Sequence, residues 1–583
     1  MSAPADELQD CVVYESLRDE TRSHGLWTRL WREHDLVWHE LLKQLNSAEA
    51  YSAGDVERYL NRPVPNAEDA LSNRIKRWQY RNQRCVRAQP GRAWEQLFSG
   101  LGAKVLMLSF GLRHFSPNHI RTLDPKRDNW RSPDQVRQDA LIARVGTLPP
   151  DLPFPLHSRA GLEWLFSARL GAWFLQADAA RGADVVTARF DALARYEVKP
   201  GVMDVCAQVW FRLDEARRGL EFLALQYQGV TLHGAQAERH ALFQDASRAV
   251  MCAAVTDVSV VHHALHAHLL VGDVFASATH TCLTDTRHPV RRFLQSFCYG
   301  VWDINNVVRS VLLAENGTLH TVFGLSYRGL QQYVRDTYDR YDMVSVHVLP
   351  AFLRARGLWR DDSREPVSPA LPVWQDALEY WLMFTEYVEA LTCAAGYLCD
   401  EDVHRDAYLQ RWAKDIVRQQ PTAHSCRVQL PLGLADLRLL CVMFMYHSVI
   451  SHEMASVADD LVASPYAVTT QWRVPQICLD KPPEQAPLEE KIANKEVTRR
   501  ALIAANTIAL RVKRFAIAWG YVMYPPEDPL WRECPRALAV RNVMNSVPQR
   551  LKRVDDRIAA RNQRRKFAHE ILRAENLNCA LAV

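Results

Sequence analysis

The sequence predicts a mainly α fold: one large helical domain with few short strands. Three observations carry this expectation. Apolar residues recur at helical spacing through most of the 583 residues, and few stretches alternate with period two. Seventeen Trp in a chain that is 48% hydrophobic require a substantial buried interior. At roughly 150 residues per domain the length alone would suggest three or four domains, but the long apolar helices of the second half point to a single core. Residues 1–200 read as a helical N-terminal region and residues 201–583 as the main helical region, the two expected to share one continuous core.

The elements follow in order. Val12 to Leu45 carries the apolar stripe of one or two amphipathic helices. Pro63 to Pro65, Thr147 to Pro155 and Arg360 to Pro372 are breaks, because proline ends a helix at the residue before it. Ser296–Leu313, Trp374–Ala394, Leu434–Val449, Lys491–Phe515 and Ala537–Arg564 read as helices from their apolar spacing.

Composition narrows the function. Lys+Arg 71 against Asp+Glu 67 leaves a net charge of +4, which is no nucleic-acid footprint. The 13 Cys are scattered, with no pair at zinc-knuckle spacing, and read as reduced thiols of a cytoplasmic protein. The acidic, polar start is unlike a signal peptide. The longest apolar run, Leu437 to Ile450, is shorter than the roughly 20 residues a spanning helix needs. Transient contact with a membrane surface is compatible with this reading, and a transmembrane segment is not expected.

Twenty-one His are the unusual count. His262, His263, His266 and His268 crowd one apolar helical run, Val261 to Leu270. Buried neutral imidazoles need partners, and a metal satisfies several at once. In a regular α-helix His263 and His268, five apart, point about 140° from each other. A π-bulge brings them onto one face. His262 and His266, four apart, converge without one. Either pair is chemically able to hold a metal.

Four stretches in order then resemble the lipoxygenase family. After the histidine run comes His288-Pro289-Val290 with Asp303 to Gly317, similar to the family's His-Pro turn and its arched channel helix. Trp374 to Leu378, Asp400 to Val403 and Leu409 to Ile416 resemble a third family block. The C-terminus, with Arg561-Asn562 and terminal Val583, resembles a segment whose last main-chain carboxylate reaches the metal. The resemblance covers about 250–583 and implies a catalytic fold without the N-terminal β-barrel, as in bacterial and fungal members.

The resemblance implies one non-heme iron per chain, with manganese as the alternative. Its ligands would be His263, His268, His447 and the carboxylate of Val583, with Ser451 at the place of the family's weaker amide ligand. His262 with His266, or His268 with Asp273, are rival first pairs, and His452 rivals His447 or Ser451. Val308, Arg309, Leu312 and Leu319 would line the substrate channel. The implied activity is that of a dioxygenase. A metal hydroxide abstracts hydrogen from a polyunsaturated fatty acid, and O2 adds to give a hydroperoxide.

Departures qualify the substrate. Val308 stands where the family has Ala or Gly, the first metal helix lacks its usual Gln, and Met454 replaces another. These favour, as alternatives, a related metal enzyme acting on a different substrate or a non-catalytic helical binding protein. A zinc-peptidase reading fails, because His452-Glu453 lacks the second His four residues after the first.

Overall fold

The computed structural model describes residues 157–455, apart from positions 286, 299–300, 302–312, 314–318, 321–322, 362, 364 and 422–425, together with residues 537–574 and 577. The expected helices at Val12–Leu45 and Lys491–Phe515, most of Ser296–Leu313, and the first two proline breaks lie outside these residues. The fold is mainly α, as the sequence predicts.

The chain first builds an antiparallel sheet. Strands β1 (Gln176–Ala177), β2 (Val185–Arg189), β3 (Ala207–Asp214), β4 (Gly219–Tyr227) and β5 (Val230–His233) lie in sequence order. Each pairs with its neighbour, so β2 and β3 join across residue 200. A register shift at Trp210/Phe211 interrupts the β3–β4 ladder. Val209, Trp210 and Phe211 are buried in succession. Trp210 donates to Asp178 Oδ2 at 2.9 Å and carries the Arg181 guanidinium 4.0 Å above its ring, so one sheet face is closed by a small local cluster. The other face joins the main core, under the helix Arg159–Ala168, whose Glu163 accepts from the Phe222 N–H at 2.8 Å. Among the described residues there is no barrel.

Beyond the sheet the chain is helical. One continuous helix runs through Phe243–Asp257, a π-helical stretch Val258–Gly272, and Asp273–Cys282. Nearly every residue of the π stretch is buried, the mark of a helix inside a core. A second helix runs Leu434–Tyr446, turns π over His447–Ser451 and ends at Met454. Phe243–Thr279 and Leu434–Met454 are long and apolar enough to cross a membrane by length and composition, but each is mostly buried in the protein.

The predicted helix at Trp374 is found as Pro372–Ala394, with proline in its first turn where no N–H is needed. The predicted Ala537–Arg564 helix is two, Ala537–Met544 and Val547–Asn562, with Pro548 opening the second. Indole N–H groups tie distant elements together. Trp374 donates to the Ala172 carbonyl (3.1 Å), Trp173 to the Met454 carbonyl (3.3 Å) and Trp412 to Thr279 Oγ1 (3.1 Å). Each joins residues more than a hundred positions apart; the second ties the end of Leu434–Met454, and the third the end of the first long helix, to another element.

Candidate metal centre

The π stretch decides which histidines meet. The Asp273 N–H donates to the His268 carbonyl five residues back. In such an i→i+5 helix, residues five apart stack on one face. His263 and His268 therefore stand together, with ring centroids 4.9 Å apart and planes inclined by 31°.

The second helix repeats the device. The His452 N–H donates to the His447 carbonyl, again five residues back. This insertion shifts the phase of everything after His447. His452 thereby turns its ring to the first helix: its Nε2 lies 3.1 Å from His263 Nε2 and 3.3 Å from His268 Nε2. His268 and His452 are buried and His263 is partly exposed. Their ligand atoms all lie within 4.8 Å of one another, the one such group among the described residues.

This donor set fits a metal. An imidazole nitrogen carries either a proton or a lone pair, so His452 Nε2 cannot make well-formed hydrogen bonds to both neighbours. Two imidazoles bound at right angles, with metal–nitrogen bonds of about 2.1 Å, place their nitrogens about 3.0 Å apart. The observed spacing is close to that figure.

The other sequence-predicted ligands fall differently. His447 is buried but lies outside this group, its ring 4.2 Å from that of His347. Ser451 is buried and also outside it. For Ser451 the physical reason is the π turn: four-residue spacing puts it on the face of His447 only in a regular α-helix. Asp273, the partner in one rival pair, begins the helix after the π stretch and is not in the group. Val583, Val308, Arg309 and Leu312 lie outside the described residues. Leu319 is buried in the core. His347, which closes the short helix Met343–His347, was not singled out by the sequence. Its signal there is a lone histidine, indistinguishable from a surface one.

Around the centre the environment disfavours charge. Burial, followed by the nearby His266 and His268 rings, pushes His447 down to about 3. Burial, with Arg356 adding to it, brings His266 to about 3 as well. Both imidazoles are neutral at physiological pH.

The family-like motifs outside the centre are structural anchors. His288 Nε2 lies 3.1 Å from Asp406 Oδ2, and Asp406 Oδ1 caps the next helix by accepting from the Tyr408 and Leu409 N–H groups. Arg561 and Arg565 converge on Asp376 of the Pro372–Ala394 helix, which also meets His569 Nδ1 at 2.8 Å. Asn562 Oδ1 accepts from the His569 N–H, and Tyr380 donates to the Leu572 carbonyl. The chain leading to the C-terminus is thus clamped to one core helix.

A family profile described as lipoxygenase matches residues 223–427. Among curated proteins, the allene oxide synthase–lipoxygenase protein of Plexaura homomalla is 28% identical over 158 residues, 26% of this chain and 14% of that protein. A manganese lipoxygenase of Pyricularia oryzae is 24% identical over 155 residues, 27% of this chain and 25% of that protein. A polyunsaturated fatty acid lipoxygenase of Bos taurus is 30% identical over 158 residues, covering 26% and 22%. The chain thus spans about a quarter or less of the length of these relatives. Among solved structures, coral 8R-lipoxygenase superposes with a TM-score of 0.63 at 16% identity, over 90% of this chain and 82% of that one. The manganese lipoxygenase of Gaeumannomyces graminis gives 0.63 at 14%, over 90% and 100%. At these identities the structures speak for the fold.

Proposed function

The chain belongs to the lipoxygenase family, and from that premise we propose that it is a non-heme metal dioxygenase acting on a polyunsaturated fatty acid. The observation that carries the reading is the convergence of His263, His268 and His452 from two buried helices. These three would hold one iron, with manganese as the alternative; the Val583 carboxylate is proposed as an additional ligand. Bound there, the metal would supply the oxidising and basic power to remove hydrogen from a doubly allylic carbon, so that O2 adds and a hydroperoxide forms.

The protein's own contribution is binding, orientation and exclusion of water. Val260, Ala264, Leu265 and Val271 are buried apolar residues of the helical stretch that carries His263 and His268, and are proposed as part of the wall of the site. Such a wall suits an acyl chain and keeps the reacting carbon dry. No side-chain acid–base pair is assigned a proton in this reading. Val308, Arg309, Leu312 and Leu319 are proposed as channel residues by resemblance.

A second reading keeps the metal but changes the lipid. Met454 is buried 3% exposed near the centre and cannot donate or accept a strong hydrogen bond, where an amide is common in the family. Metal tuning and substrate would then differ together.

The test is metal content of the purified full chain, followed by conjugated-diene absorbance with linoleate and with arachidonate. We expect about one iron bound at this centre and diene formation that His452→Ala abolishes. An iron-loaded protein inert toward both acids would refute the fatty-acid reading. Turnover with another unsaturated lipid would then favour the second reading.

A further inference from the structure

One indole touches both of the helices that carry the histidines. Trp173 lies in the short turn Leu170–Phe174, just after the helix Arg159–Ala168. Its ring stacks on that of His262 in the π stretch, with centroids 4.4 Å apart and planes inclined by 26°. Its N–H donates to the Met454 carbonyl at the end of the second helix, at 3.3 Å. His262 is the chain neighbour of His263, and Met454 stands two residues after His452. His262 itself is outside the converging ligand group.

The indole is itself braced. Trp374 meets it edge-to-face at 5.3 Å and Phe352 at 5.6 Å. Trp374 also donates to the carbonyl of Ala172, the residue before Trp173. Phe174, the residue after it, meets the His262 ring edge-to-face at 6.0 Å. Trp173, Trp374 and Phe352 are all buried, so the brace is part of the core.

A centre with donors from two helices needs such a brace. A side-chain tip lies about 5–6 Å from its helix axis, so a rotation of about 10° carries it roughly 1 Å. Metal–ligand distances tolerate only about 0.2 Å. The donors therefore keep their geometry only if neither helix turns or slides against the other. The stack on His262 resists rotation of the first helix at the residue beside His263. The bond to Met454 pins the second helix close to His452.

We propose that Trp173 is a positioning residue of the metal centre, setting the spacing of its imidazoles through His262 on one helix and the Met454 carbonyl on the other. This role presupposes the ion that the two helices are proposed to hold.

The test uses the full chain, stripped with a chelator and titrated with Co2+. The binding curve gives Kd, and the visible bands of bound Co2+ report the ligand geometry. Urea unfolding of the ion-free protein reads stability separately. Trp173→Leu removes both contacts but also hollows the core, so Trp173→Phe is the sharper variant: it keeps an aromatic ring for His262 and loses the donor to Met454. We expect its Kd for Co2+ to rise about tenfold, the lower end of what altered support around metal ligands costs, with the bands shifted. Trp210→Phe, which removes an indole donor in the separate sheet cluster, should lower stability and leave Kd and bands at the parent's values. A folded Trp173→Phe with the parent's Kd and bands overturns the proposal whatever its stability, because a merely structural indole would behave so. A Trp210→Phe that weakens Co2+ binding as much as Trp173→Phe does overturns it too, since binding then follows stability alone. A parent that binds no Co2+ refutes the metal reading and this role together. Binding that His452→Ala abolishes and Trp173→Phe spares refutes this role alone.

Discussion

Replacing Asp376 with Asn isolates the clamp that holds the C-terminal segment. Asp376 is fully buried and faces three cationic or cation-forming groups. Arg565, whose side chain is also 0% exposed, donates at 2.7 and 2.8 Å; Arg561 donates at 2.9 Å; His569 Nδ1 sits at 2.8 Å. Burial alone would raise the carboxyl's pKa, but hydrogen bonds from His569 and Arg565 outweigh it and hold the group at about 2. Against the usual 3.8, that depression corresponds to about 2 kcal/mol of folding stability. Asp376→Asn also leaves the Arg565 charge buried with only neutral acceptors on Asn562, Pro372 and Gln375. Breaking a buried pair from one side costs about 3–5 kcal/mol. Glu379 relieves Arg561 only. The expected loss is therefore about 2–5 kcal/mol in denaturant unfolding at neutral pH. Because the native value is depressed, the contribution is complete above pH 3.8 and disappears as pH falls toward 2. A loss below about 1 kcal/mol, or a variant with the parent's full acid dependence in that window, would refute the reasoning.

Other outcomes follow from the same geometry. His266 and His447 are each held at about 3 against 6.5, so their contribution is complete above pH 6.5 and is lost as pH falls toward 3. In the metal-free protein this amounts to about 2 kcal/mol each by pH 5, read as a fall in Tm between pH 7.5 and 5; a flat profile would contradict the buried neutral assignment. Trp412→Phe removes the indole donor to Thr279 Oγ1 and should cost about 1 kcal/mol in the same unfolding assay. Gly329→Ala would put a methyl carbon 2.2 Å from the Glu197 carbonyl oxygen. The backbone there must shift, and a loss of about 1–3 kcal/mol is expected; an unchanged Tm would show that the approach is looser than the structure has it.

The helical class, the apolar helices at Pro372–Ala394 and Leu434–Met454, and the histidine run were all legible in the chain, because 3.6-residue spacing and burial are local properties of sequence. The sheet was not. β3 buries Val209, Trp210 and Phe211 in succession, since its two faces pack on different clusters, and a strand buried on both sides loses the period-two signal. The histidine chemistry was legible as a density of imidazoles but not as a ligand set. His263 and His268 read as partners only if a π turn intervened, and the family resemblance pointed to His447 and Ser451, with His452 as their rival, where the structure turns His452 inward. Residue types that support an α turn and a π turn are nearly the same, so spacing cannot register the insertion. The i→i+5 bonds at Asp273 and His452 are set by how two buried helices pack against each other, which is a property of the assembled core. The chain by itself determined that imidazoles would be buried together; the tertiary packing decided which of them meet.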